Sequence, residues 1–544
     1  MQRLWQRTLL LRTQKKNKQP LTFESDSIAT AADIAALRAT TDSRISEIKN
    51  TGNLTIPNGA TVYYVANNGS DSNNGTSAST PFQTITKVNA VLESSNSAHV
   101  YVCFKRGDTW RGEQLVAIPN LTITAYGTGA KPVIMGSPEN GGGSANASKW
   151  TDMGNNIWCY KGSDAWSDVG NIIFNDGESY GKKVIQLYVN GRLTDFTNGP
   201  AQTHTFDSWD DLKNDLDFYH DKDFNGGSGA TGYLYLYSAT NPAERFESIE
   251  FARKTNLVYI HHTDNVTVDN ICFKYEGGHA IAADGQPGSS LVLDDLTVQN
   301  CEFYWIGGSI QNRIANSVIS NKENTTVWDT RYGNAIEVYG TCDGFIARNN
   351  YIYQVFDAGI TVQKTVGNSL EDWSQKNISF TDNVIENCNY SIEYFLTDME
   401  QSDVSKMVNF TISDNIMWNA GKGFCETRGI WDRGFSAHIK SQWTAPCNKA
   451  ENFVISGNTM IGVRDQFLQI RTSFGTDSMP TLTDNVFYGR YDFDGTATNG
   501  YRLGEVRVTS DDNQIWVSYD FQNEQYLTDN VKTATGNKFY FVFN

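Results

Sequence analysis

Five short phrases carry the residues best suited to chemistry: GNAIEV with Glu337, DAGITV with Thr361, YSIEYF with Glu393, GFCETR with Glu426, and FLQIR with Gln469. If each phrase belongs to one turn of a stacked chain, successive members lie one strand spacing apart. Glu337 and Glu393 then stand two spacings, ~9.6 Å, from each other, and Glu393 and Glu426 one spacing, ~4.8 Å. Paired carboxylates at ~6.5–9.5 Å can admit a water for inverting glycosidic cleavage, and those at ~5–5.5 Å suit a covalent nucleophile. Asp357, in VFDAG, falls at the turn before this row and is a third catalytic candidate beside Glu337 and Glu393.

Aromatic and donor side chains cluster in the same stretches: Trp305, Trp328, Arg331, Tyr332, Tyr394, Glu426, Arg428, Trp431 and Trp443. Rings stack on the apolar faces of sugars, and guanidinium groups bind hydroxyls or carboxylates, so these nine are the expected substrate contacts. A plainer reading competes, because outward positions of any solenoid are polar and an acidic chain stacks some carboxylates by chance. A register error of one residue would also turn a side chain to the other face.

The elements that must position this row announce themselves as a repeat. A strand-like run, an asparagine and a second apolar run recur at Asn270, Asn300, Asn350, Asn383, Asn415, Asn458 and Asn485. Where nothing intervenes the interval is ~27–33 residues, the signature of stacked repeats. Each copy alternates apolar and polar residues with period two and breaks at Asn, Asp or Gly, giving strand, turn, strand. Such a unit cannot bury its apolar face alone, whereas stacking supplies a continuous interior. The predicted fold is all-β, a right-handed single-stranded parallel β-helix with a short N-terminal helical segment and an inserted β-rich lobe. The seven asparagines are expected at one bend, tolerating a left-handed backbone and bonding amide to amide along the stack.

In chain order, residues 1–50 form a basic arm and a helix with a coiled-coil-like seam (Ile34, Leu37, Thr41, Ile45, Ile48), expected to join copies of the chain, as a homotrimer. Residues 51–136 supply a cap and the first coils. The stretch 137–255 breaks the pattern with glycine-rich loops and hairpin-like strands, an insertion packed on the early coils. Regular coils fill 256–490, with longer excursions after Gly307 and after Ala420 that should wall one side, and 491–544 form a strand-rich C-terminal cap.

Within 51–136 the words Tyr64-Val65, Asn68-Gly69-Ser70-Asp71, Asn74-Gly75-Thr76 and Pro81-Phe82-Gln83-Thr84-Ile85, followed by FKRGDTWRGE and LTITAYGTGAKPVIMGS, resemble the N-terminal cap and first coils of the pectate-lyase-like superfamily. The resemblance covers about 61–136 and, through the repeats, 256–490, and it specifies fold more than reaction. It implies a polysaccharide-cleaving enzyme of the kind carried as a phage tail spike, acting at the virion tail on a bacterial surface or extracellular glycan. The alternatives are a secreted bacterial lyase working by β-elimination, with calcium and a base such as Lys364, Arg428 or His438, and an adhesin that only binds glycan. No column of three aspartates marks a calcium site, so no cofactor or metal is expected for hydrolysis. His261, His262 and His279 adjoin strands and read as structural.

Composition narrows the field. With 61 acidic against 44 basic residues the net charge is −17, and no basic concentration suits nucleic acid. No apolar run approaches the ~20 residues of a membrane span, and the first residues lack a secretory cleavage pattern. The eight cysteines show no metal or redox spacing and are expected as buried thiols.

Overall fold

A computed structural model describes residues 28–95, 98–184, 186–189, 192–195, 209–222, 230–288, 293–316, 326–366, 371–398, 404–428, 434–439, 449–472, 474–491, 513–518 and 524–543. The chain winds as a parallel β-helix. One flank is an 11-stranded sheet running from Thr61–Val65 through Val266–Asp269, Gln375–Thr381 and Met407–Ser413 to Thr533–Thr535. The other two flanks form the two arms of a 21-stranded sheet. Strands pair in parallel, coil upon coil, as Val384↔Ile416 and Ile416↔Thr459 do. Inward residues at every second position fill a single interior that includes Phe303, Phe345, Phe380, Phe410 and Phe453.

The bend between the flanks divides between two columns the roles expected of one. Asn270, Asn300, Asn349, Asp382, Asp414, Gly457, Asp484 and Gly536 share a left-handed backbone, with φ between 53° and 72°. Asn, Asp and Gly tolerate that region where other residues pay sterically. The next residue carries the buried ladder. Each side-chain amide donates to the next coil's amide oxygen: Asn350 to Asn383 (3.0 Å), Asn383 to Asn415 (2.9 Å), Asn415 to Asn458 (2.9 Å), Asn458 to Asn485 (3.0 Å) and Asn485 to Asn537 (3.0 Å). Five of the seven predicted asparagines lie in this ladder. Asn270 and Asn300 instead belong to the left-handed column, because Ile271 and Cys301 occupy the ladder position in their coils, and Asn537 is a rung the repeat reading missed.

The helix Ala31–Lys49 begins on a capping box between Thr30 and Asp33. Its seam is used within the chain. Ile45 and Ile48 pack against Tyr351 and Val384, and Trp418 Nε1 donates to Thr41 Oγ1 at 3.0 Å. Arg38 pairs with Glu386 and Arg44 with Asp382, and Lys131 bonds the carbonyls of Ile48 and Asn300. The preceding Ile28–Ala29 pairs with Phe541–Val542 of the last coil. The geometry fits: 19 residues rise ~28 Å, and the six coil steps from strand Lys538–Phe543 back to Glu302–Ile306 span ~29 Å. The helix therefore straps the stack lengthwise, and of the residues expected to join other copies Thr41, Ile45 and Ile48 are covered by the chain's own strands while Ile34 and Leu37 are half-buried.

At the N-terminal end, Ile85, Val88 and Leu92 of helix Ile85–Glu93 close the interior. Asp71 is a turn residue there, accepting from the Gln83 and Thr84 amides and the Thr84 hydroxyl. Between 137 and 255 a five-stranded sheet has its own apolar clusters. Strand Val169–Phe174 joins the large sheet antiparallel to Ile249–Arg253. Seven cysteines are buried free thiols, and Cys447 lies outside the described residues. Among the described residues no helix is long and apolar enough to cross a membrane.

Candidate active site

The second arm of the large sheet carries the predicted row. Register places Ala282, Glu337, Thr361, Glu393, His438 and Gln469 on successive coils. Their neighbours Ile336, Ile360, Ile392, Ala437 and Leu468 point into the interior, so strand alternation turns the row outward. Glu337 and Glu393 are two coils apart, ~9.6 Å at strand spacing, with Thr361 between them. The Thr361 hydroxyl is buried and has no hydrogen-bond partner.

Glu337 is buried yet held in its charged form. Asn334 Nδ2 donates to Oε2 and Gln363 Nε2 to Oε1, both at 3.0 Å, and His279 Nε2 stands 2.6 Å from Oε2. Burial alone would raise its pKa, but His279 and the two amide donors outweigh it and leave the carboxyl below the ordinary glutamate range. The Asn334 backbone N–H donates to His279 Nδ1 at 3.1 Å, which puts the imidazole proton on Nε2, facing the carboxylate. Tyr332 packs edge-on to the His279 ring at 5.0 Å, and burial raises its phenol pKa.

Glu393 has a different neighbourhood. His438 Nδ1 lies 3.8 Å from its Oε1, and the imidazole sits 4.6 Å from the rings of both Tyr390 and Phe435, which stack on each other at 5.6 Å. Asp357 is half-buried at the bulge where the two arms of strand Tyr351–Val366 meet, its N–H bonded to Gly333 O at 3.1 Å.

Several predicted contacts are placed elsewhere. Glu426 is not in the row. GFCETR forms a short 3-10 turn, Phe424–Arg428, where Glu426 is exposed and accepts from Gly423 N–H, and the strand Phe435–Ile439 supplies His438 at the expected rung. The excursion beginning after Ala420 shifts the phrase out of register. Tyr394 points inward and packs on Phe410 at 5.3 Å, one residue from outward Glu393, so alternation denies it to a substrate. Trp305 is enclosed among Tyr180, Tyr353 and Phe424. Arg331 is a buried clamp, donating to Gly308 O, Gly170 O and Thr427 O and lying 4.2 Å over Phe356. Trp431 and Trp443 lie outside the described residues, as do the side chains of Trp328 and Arg428.

Tyr332 borders the row through its contact with the His279 ring. The excursion after Gly307 forms the hairpin Ser309–Asn316 and Thr326–Tyr332, which pairs with Gln186–Val189 in a four-stranded sheet beside Glu337. Sequence reasoning read His279 as structural and passed over Asn334 and Gln363. Their signal was positional: Gln363 is two residues beyond Thr361 on the same face, and the GGHAI bend repeats one coil before GNAIE. Glu276 is also buried, with its carboxyl pushed up to about 7 by burial. It is fully enclosed by Thr255, Gly278 and the backbone at Gly136, leaving no approach for a substrate.

No protein-family model and no curated protein matches this chain. Solved structures similar to it include a glycoside hydrolase, at 8% identity over 79% of this chain and 88% of that one, with a TM-score of 0.40. XylC in complex with xylose matches at 14% identity over 80% and 76%, with a TM-score of 0.36. The tailspike protein of E. coli bacteriophage HK620 with a pentasaccharide matches at 11% identity over 82% and 68%, with a TM-score of 0.32. At such TM-scores the function has to be argued from the row of side chains itself.

Proposed function

We propose that this protein is a glycan-degrading enzyme that hydrolyses glycosidic bonds with Glu337 and Glu393 on either side of the scissile linkage. The observation that carries the reading is the outward row Glu337, Thr361, Glu393, in which two carboxylates stand two coils apart around a hydroxyl with no internal partner. At two strand spacings, ~9.6 Å, that separation stands at the wide edge for a pair with a water between them and is too wide for a covalent nucleophile. Glu337, kept ionised by His279, Gln363 and Asn334, acts as the base that activates water. Glu393 donates to the leaving oxygen, with His438 positioning its carboxyl, and Asp357 serves as an auxiliary group at the adjoining bend.

The substrate class is a bacterial surface or extracellular polysaccharide, and the setting is a phage tail spike acting outside the cell as a homotrimer, joined through surfaces other than the strapped helix. A β-elimination reading draws support from His438, an imidazole in the row where a carboxylate was expected, and from Lys364. Burial lowers the pKa of Lys364, whose ammonium sits 4.5 Å from the Tyr339 ring and 4.2 Å from that of Trp373.

Incubation with a panel of capsular, exopolysaccharide and uronate polymers separates the two. Hydrolysis gives new reducing ends without an ultraviolet-absorbing double bond, and elimination gives the unsaturated product. Binding across the panel with no cleavage of any bound polymer would sink both and leave a glycan-binding adhesin.

A further inference from the structure

Two histidines adjacent in sequence normally point to opposite faces of a strand. His261 and His262 do not. His261 ends the strand Asn256–His261, and His262 takes a left-handed backbone, φ 47°, that swings its ring onto the same side, 3.8 Å from the His261 ring. His is among the few residues that visit this region, and doing so still strains the backbone. On the next coil Asp284 pairs with His261 in parallel register. Its Oδ2 lies 2.8 Å from His261 Nδ1 and 3.4 Å from His262 Nε2. His262 Nε2 is buried and makes no hydrogen bond. A buried imidazole nitrogen left unsatisfied beside a carboxylate needs a reason.

We infer that His261 Nδ1, His262 Nε2 and Asp284 form a binding site for a borderline first-row divalent cation of the zinc class. The three donor atoms all lie within 4.8 Å of one another. Around tetrahedral Zn²⁺, bonds of ~2.0–2.1 Å place donors about 3.3 Å apart. The Asp284 to His262 separation meets that directly. The Asp284 to His261 contact opens by about half an ångström when the proton between them is replaced by metal.

Two imidazoles and one carboxylate favour Zn²⁺ or Co²⁺ over Ca²⁺, which prefers six or more oxygens. Binding at His261 Nδ1 moves the proton of the neutral ring to Nε2, on its exposed side, and because both imidazoles must be neutral to bind, affinity falls at low pH. The His261 side chain is half exposed, which leaves an entry path and a fourth position for water. The site adjoins the catalytic row, since Asp284 pairs with Tyr339 and Ala282 with Glu337, but its existence does not depend on what Glu337 does.

The test is titration of the metal-stripped full-length chain with Co²⁺, followed by its visible absorption, and with Zn²⁺ by calorimetry. One equivalent should bind with tetrahedral Co²⁺ bands. His261→Ala, at an exposed position where folding is secure, and Asp284→Asn should each weaken binding at least ~100-fold, the upper end of what losing an outer-shell partner costs. His262→Ala should do the same if circular dichroism shows it folded. No saturable uptake of Co²⁺ or Zn²⁺, uptake unchanged by His261→Ala and Asp284→Asn, or retention of Ca²⁺ alone would overturn the assignment.

Discussion

The two arms of each coil in the large sheet both present carboxylates outward, and they handle them in opposite ways. On the arm beneath the N-terminal helix, Glu386 is neutralised by Arg38 and bonded by the Tyr351 hydroxyl at 2.9 Å. Glu302 accepts from the Tyr304 hydroxyl at 2.6 Å, with Lys131 4.0 Å away. Those partners are cations and phenols, and Lys49 and Arg38 add cation–π contacts over Tyr304, Tyr351 and Trp418. On the second arm, Glu337 and Glu393 face the imidazoles of His279 and His438 and the amides of Gln363 and Asn334. A carboxylate locked to arginine cannot trade protons, whereas one beside an imidazole can. The same backbone thus carries one arm whose carboxylates are fastened by cations and phenols and another whose carboxylates face imidazoles and amides, and partner choice separates them.

Breaking the second arm should show the largest effect. Glu393→Gln and Glu337→Gln keep shape and hydrogen bonding but remove the proton-transfer role, and each is expected to lower turnover by at least ~100-fold, the low end of general acid–base contributions. Thermal unfolding and glycan binding should stay near those of the parent. Near-normal cleavage in both variants, measured by reducing-end release, would relocate the chemistry. Asp357→Asn sharpens the assignment: a comparable loss would mean that the bulge residue takes part in the pair.

The ladder beneath both arms comes next. Asn415→Ala removes the acceptor of the Asn383 amide and backbone N–H and the donor to Phe380 O. Buried groups left unsatisfied cost roughly 1–3 kcal/mol each. A loss of about 2–4 kcal/mol is expected in denaturant unfolding. A change within error would mean that water or backbone shifts replace the rung.

Much of this was legible in the sequence, and the failures share one cause. Alternation and recurrence fixed the coils, the bend and the two-rung spacing of Glu337 and Glu393, because parallel stacking converts sequence period directly into position. Register was lost wherever an excursion changed the count. GFCETR resembles YSIEYF as a string, yet the excursion beyond Ala420 lets FSAHI take its rung and brings His438 rather than Glu426 beside Glu393. At the bend, asparagine in the left-handed column and asparagine in the ladder read alike, since the same amide serves either purpose one residue apart. Trp305 and Tyr394 were misjudged for want of a third dimension: one is covered by a distant 3-10 turn, and the other is turned inward by alternation. The helix seam was real, but a single chain's composition does not say whether its partner is another copy or the flank of its own solenoid.

On the fastening arm a smaller effect is expected. Arg38→Ala strips the cation from nearly buried Glu386 while leaving the Tyr351 bond. Arg38 is itself about one-third exposed, so solvent compensates in part. The cost should be about 1–2 kcal/mol in unfolding, with glycan turnover unchanged. A loss of turnover there would mean that the two arms are coupled through the interior.

The mildest test concerns pH. The Glu337 carboxyl is held below its ordinary range in the folded chain despite burial, because His279, Gln363 and Asn334 all favour the charged form. A group whose folded pKa is depressed contributes stability that is fully present above its unfolded pKa, about 4.3, and is lost as pH falls through the lower, folded value. The parent should therefore lose stability on acidification below about pH 4, and Glu337→Gln should lose less over that interval because it has no carboxyl to protonate there. Superimposable stability–pH curves for the two proteins between neutrality and pH 3 would show that Glu337 is not held ionised by its three donors, and the assignment of the base would pass to Glu393 or Asp357.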